Sequence, residues 1–162
     1  MNLIASCNCG KLQILVSKPP VIQLVCHCIE CQVFSGAAFV EGVFFRKDSC
    51  HIKGSSRVES MAEGTGSDKH HHFCSLCDTP LYVQIEALNG AIAIAAERLD
   101  PFEFAAEVHL WTSQKAQGVE IPATSLQSPG APPDEIVERM INGFWNFFHC
   151  PIQPLQFQNN LE

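Results

Sequence analysis

Basic residues are scarce in this chain. It carries 10 Lys and Arg against 17 Asp and Glu, a formal charge of −7 at pH 7. Nucleic acid selects basic surfaces that displace counterions from phosphate, so this balance argues against a nucleic-acid partner and equally against an anionic membrane surface. Long apolar runs are missing too: no stretch approaches the roughly 20 residues of a membrane helix. The opening Met1-Asn2-Leu3-Ile4-Ala5-Ser6 has no basic n-region and no sustained apolar run, so it does not read as a secretory signal. Cytoplasm is the expected location. There are no internal repeats. Gly64-Thr65-Gly66 is followed by no lysine in the place a phosphate loop requires.

Cysteine, by contrast, is abundant, at nine residues. In a reducing compartment, clustered cysteines read as metal ligands rather than disulfides. Cys26-His27-Cys28-Ile29-Glu30-Cys31 places three sulfurs within six residues. So tight a loop can turn three thiolates toward one tetrahedral ion and leave a fourth corner to fill. Cys7-Asn8-Cys9-Gly10 upstream and Cys74-Ser75-Leu76-Cys77 downstream supply four more sulfurs. A C-x-C and a C-x2-C about 65 residues apart are a strong signal for a structural zinc. Spacing also permits Cys26–Cys31 to share a metal with Cys74 and Cys77 instead. The fourth corner of the three-cysteine site is either open, as in a catalytic zinc site, or closed by a histidine: the adjacent His27, or His51, His70, His71, His72 or His109. A thiol bound at an open corner would lose its proton, because coordination favours the thiolate.

At 162 residues one domain, 1–162, is expected, with enough chain to bury a core. Leu12–Val16 and Val21–Val25 read as strands broken by Pro19-Pro20 and paired as a hairpin. Phe34-Ser35-Gly36 reads as a turn. Ala37–Phe45 follows as a strand with a bulge at Gly42. Cys50–Lys53, Arg57–Met61 and Lys69–Phe73 are further strands, with a turn at Gly64–Asp68. Pro80–Ile85 and Ala91–Ala95 form the clearest hairpin, with Asn89-Gly90 at its tip. Val108–Trp111 is a last strand, on which His109 and Trp111 share a face. Residues 112–133 read as loop. Only 134–149 carries a helical signal, with acids in the first turn and apolar Ile136, Met140, Ile141 and Phe144. The fold class is mainly β, with antiparallel sheets and one C-terminal helix. The run Phe144–Phe148 exceeds what one helix face buries, and leaves a homodimer contact as an expectation. Cys50 and Cys150 match no motif and read as small buried apolar residues.

Cys7-x-Cys9-Gly10, Cys26-His27-Cys28-x-x-Cys31 and Phe73-Cys74-x-x-Cys77-x-x-Pro80-Leu81 together resemble the glutathione-dependent formaldehyde-activating enzyme family, over most of residues 5–125. His109-x-Trp111 and Glu120-Ile121-Pro122 resemble further stretches of it. The resemblance implies an Mss4-like, zinc-stapled fold. It implies a structural zinc on Cys7, Cys9, Cys74 and Cys77 and a second, catalytic zinc on Cys26, Cys28 and Cys31. It also implies a carbon–sulfur lyase step that joins glutathione, a small thiol, to formaldehyde as S-hydroxymethylglutathione. Two positions depart from the family pattern: Asp78 stands where glycine is usual, and His72 where arginine often precedes the knuckle. An acid beside four thiolates is unfavourable unless it faces solvent or caps a turn. The alternative function is a non-catalytic zinc module that binds a small thiol or a protein partner.

Overall fold

The computed structural model describes residues 3–62 and 68–142. Twelve strands form two sheets. The smaller contains β1 (Leu3–Ser6), β2 (Gln13–Val16), β5 (Cys50–Lys53) and β10 (Leu99–Asp100), in the order β10-β1-β2-β5. The larger contains β3 (Ile22–Cys26), β4 (Val40–Phe45), β6 (Ser56–Ala62), β7 (Asp68–Cys74), β8 (Pro80–Ile85), β9 (Ala91–Ala95), β11 (Val108–Leu110) and β12 (Leu126–Gln127). Its order is β12-β11-β3-β4-β9-β8-β7-β6. Two helices, α1 (Ile29–Ser35) and α2 (Asp134–Asn142), complete the described elements together with short 3-10 turns.

Strand alternation places the two cores. In β4, Val43 and Phe45 point between the sheets while Phe44 points the other way, as successive side chains of a strand must. The first core packs Leu3, Ala5, Ile14 and Val16 of the small sheet against Val43, Phe45, Tyr82, Ile92 and Ile94 of the large one. The second, on the opposite face, gathers Ile22, Leu24, Phe44, Val108 and Leu110 with Ile136 and Met140 of α2. Those two residues are one helical turn apart, so α2 buries a single stripe. A mainly β fold of two sheets with a C-terminal helix is therefore present; residues 143–149 of the expected helix, the Phe144–Phe148 run and Cys150 lie outside the described residues.

Several expectations need correction. β2 and β3 do not pair: β2 lies between β1 and β5, and β3 between β11 and β4. Tight hairpin turns need positive φ, which Pro19 and Pro20 cannot adopt. The stretch around Phe34 is helix α1 rather than a turn, with Gly36 as its left-handed C-cap at φ 67°. No bulge interrupts β4 at Gly42, which pairs in register with Leu24; the irregularity lies between His72 and Phe73. The sheets are not wholly antiparallel, because β11 runs parallel to both β3 and β12. β12 itself falls inside the expected 112–133 loop. Trp111 leaves the strand at φ 57°, so it does not share a strand face with His109. None of the described helices is long and apolar enough to cross a membrane.

Candidate metal centres

The first centre joins the ends of both sheets. The Cys7–Gly10 knuckle leaves β1, and Gly10 takes φ 70° to turn it. The Cys74–Cys77 knuckle leaves β7. The four sulfurs of Cys7, Cys9, Cys74 and Cys77 all lie within 4.8 Å of one another. Cys7 Sγ is 3.5 Å from Cys9 Sγ, which is 3.7 Å from Cys74 Sγ. Zinc–sulfur bonds of about 2.3 Å in a tetrahedron put sulfurs about 3.8 Å apart, so the donors fit a zinc ion. Backbone amides also point inward: Leu12 N–H donates to Cys7 Sγ at 3.2 Å. The Thr79 hydroxyl lies 3.1 Å from Cys77 Sγ and also accepts from Asn8 N–H, linking the two knuckles. Its hydrogen bond holds the Cys77 thiol well down, at about 5.

Asp78 sits at φ 56° in the knuckle and is turned outward, where the Arg57 guanidinium pairs with it. Arg57 also pairs with Glu59 and lies 4.6 Å above the Phe73 ring. The acid that stands in place of the family's glycine thus caps a left-handed turn and faces a cation, away from the thiolates. His72, in place of arginine, bonds through Nδ1 to Ser56 and stacks on Tyr82.

The second centre lies where β3 hands over to α1. Cys26, Cys28 and Cys31 bring their sulfurs within 4.8 Å of one another. Cys26 Sγ and Cys28 Sγ are 3.4 Å apart. Cys28 is the N-cap of α1, and its sulfur accepts from Cys31 N–H at 3.3 Å. Hydrogen bonds from Cys26 and Cys31 drive the Cys28 thiol down to about 2, with the nearby Lys69 ammonium adding to the effect. The hydrogen bond with Cys28 pushes the Cys26 thiol up to about 11, and those with Cys26 and Cys28 push Cys31 higher still. Three thiols crowded this closely suit a divalent ion that replaces their protons.

No histidine nitrogen or carboxylate joins all three of these sulfurs within 4.8 Å among the described residues. The expected closing ligands are elsewhere. His27 is buried and turned toward β11, its Nε2 3.1 Å from His109 Nδ1, with the rings stacked. Burial holds both imidazoles below the usual histidine range. The Nδ1 of His27 is buried with no hydrogen-bond partner among the described residues. His51 is exposed on β5. His70 bonds to Ser60 and Glu86, and His71 packs on Phe34. Sharing of Cys74 and Cys77 with the Cys26–Cys31 loop does not occur; the seven cysteines divide four and three.

Sequence reading missed the residues around this loop. Lys69 pairs with Glu30, between Cys28 and Cys31, at 3.4 Å. Gln32 and Gln114 bond to the loop's backbone. The Lys69–Glu30 and Ile29–Gln114 contacts span 39 and 85 positions and leave no local pattern, whereas Gln32 reaches back only five residues.

No curated protein matches the chain. A crystal structure of a Rhodobacter sphaeroides protein is similar, at 17% identity and a TM-score of 0.48, over 62% of this chain and 90% of that one. The family model described as glutathione-dependent formaldehyde-activating enzyme matches residues 2–114, which include all seven clustered cysteines. With well over half of its length matched, the chain belongs to the glutathione-dependent formaldehyde-activating enzyme family.

Proposed function

We propose that the chain is a zinc-dependent carbon–sulfur lyase that joins glutathione to formaldehyde as S-hydroxymethylglutathione and reverses that step. One observation carries this reading: in a chain of this family, Cys26, Cys28 and Cys31 converge with no fourth side-chain donor among the described residues. The thiolate donor set suits zinc, which at such a site would supply a Lewis-acidic corner open to a thiol or an aldehyde. The reaction is an addition. The thiol sulfur bonds to the carbonyl carbon, the carbon–oxygen π bond opens, and the thiol proton ends on oxygen as a hydroxyl. No oxidant is involved.

The chain's own residues divide the work. Cys26, Cys28 and Cys31 hold the ion, and Lys69 offsets part of their negative charge. The His27–His109 pair, buried and neutral, closes the β11 side of the loop against water. Cys7, Cys9, Cys74 and Cys77 hold a structural zinc that staples β1 to β7. Glutathione is the small-thiol partner, and cytoplasm the compartment that supplies it. Exchange NMR of formaldehyde with glutathione tests the reading. The zinc-loaded chain is expected to form the adduct faster than buffer does, and Cys31→Ser to abolish the excess while the four-sulfur ion stays bound. A loaded chain no faster than buffer overturns it.

A second reading, a non-catalytic zinc module, is favoured by the apolar surface beside the loop. Ile29 and Val33, one turn apart on α1, are 60% and 78% exposed. A protein partner seated there would cover them.

A further inference from the structure

We infer that Gln114 and Gln32 are positioning residues for the three-cysteine loop, holding the two peptide groups that flank Cys28 and so aiming its sulfur. The inference rests on the reading that this trio binds an ion. Between the end of β3 and the first turn of α1, His27 and Cys28 belong to no ladder, and their backbone groups still need partners. Those partners come from β11, from the turn after it and from α1 itself. His27 N–H donates to Leu110 O at 3.0 Å. The Gln32 side-chain amide donates to His27 O at 2.7 Å, which fixes the peptide before Cys28. Ile29 N–H donates to Gln114 Oε1 at 2.9 Å, which fixes the peptide after it. The two glutamines are themselves joined, Gln32 Nε2 donating to Gln114 O at 2.9 Å.

A second observation shows that this bracket is built at a cost. Trp111, a bulky aromatic, is held at φ 57°. Left-handed backbone costs a residue with a Cβ about 1–2 kcal/mol and persists only where surroundings enforce it. Here Trp111 N–H donates to Gly130 O and Thr112 N–H to Ser128 O, each at 3.0 Å. The reversal at Trp111 turns the chain off β11 into the 3-10 turn Thr112–Gln114, which brings Gln114 to the loop. With both flanking peptides pinned, Cys28 can neither rotate its backbone nor slide along α1. Its sulfur is the shared partner of the other two thiols and of Cys31 N–H, so its direction sets the shape of the whole three-sulfur shell.

Cobalt titration of the full chain tests this, with the four-sulfur site as an internal reference. Gln114→Met keeps length and volume but removes the acceptor. It is expected to weaken cobalt at the trio by about 10–100-fold, the usual effect of losing an outer-shell partner, and to alter the d–d absorption of that site alone. Gln114→Glu keeps an acceptor oxygen and is expected to restore both affinity and spectrum. Gln32→Met, on the surface of α1, is expected to repeat the loss and serves if Gln114→Met does not fold. Equal weakening at both sites, or none at the trio, overturns the inference. An unaltered chain that binds only one cobalt overturns the metal reading of the trio, and the inference with it.

Discussion

Asp78 shows how far one residue's setting depends on its neighbours. Its left-handed backbone is a position where glycine is cheaper, yet its carboxylate gains Arg57. Exposed ion pairs contribute about 0–1 kcal/mol, and relief of the backbone is of similar size. Asp78→Gly is therefore expected to change stability by less than about 1 kcal/mol in urea unfolding of the zinc-loaded chain. Asp78→Val, which gains nothing and cannot adopt this φ cheaply, is expected to cost about 1–2 kcal/mol. Cys50 makes a second residue-scale case. Burial against the first core pushes its thiol up to about 11. A raised thiol stays protonated and unreactive below the ordinary thiol range, and becomes nucleophilic only as pH rises toward the shifted value. Peptide mapping after iodoacetamide treatment at pH 8 is expected to find Cys50 unlabelled in the folded chain. Rapid labelling would contradict its placement. The sequence marked Asp78 only as an acid that is unfavourable unless it faces solvent or caps a turn, and Cys50, expected to be buried, is half-buried against the first core.

At the scale of elements, legibility follows the kind of signal each element carries. β6 to β9 run for five to seven residues and were readable as strands. β1 and β10, of four and two residues, are too short to show a period. α1 escaped notice because its N-cap is a sulfur: Cys28 takes the role that Ser, Thr, Asp or Asn normally advertises. The same atom is a candidate metal ligand, so the helix start and the site are one feature. Glycines at the ends of elements separate two costs. Gly36, the C-cap of α1, has nothing within 4 Å of an added Cβ, so Gly36→Ala carries only the left-handed penalty of about 1 kcal/mol. At Gly54, after β5, an added Cβ would lie 2.1 Å from the Lys11 carbonyl oxygen. Gly54→Ala must move backbone and is expected to cost about 3 kcal/mol or more by urea unfolding. Similar values for the two variants would contradict the close approach of β5's end to the Cys9–Leu12 turn.

For the molecule as a whole, two cores meet on opposite faces of β4, and the two cysteine clusters sit at the strand ends that those cores align. Phe45 is fully buried between the sheets. Phe45→Ala is expected to cost about 3–5 kcal/mol, read as a lower urea midpoint with the slope unchanged. This level was the least legible in the sequence. Knuckle spacing shows that cysteines cluster, but the division into four and three depends on which strand ends converge, and that follows from crossovers between sheets. The parallel pairing of β11 with β3, which carries His109 and Gln114 to the cysteine loop, has no local signature either. An anomalous map at the zinc edge tests most directly whether the trio holds an incompletely ligated ion. Two peaks per chain are expected, one among Cys7, Cys9, Cys74 and Cys77, and one among Cys26, Cys28 and Cys31 with a non-protein ligand in its fourth position. A single peak, or a histidine nitrogen closing the second shell, would contradict it.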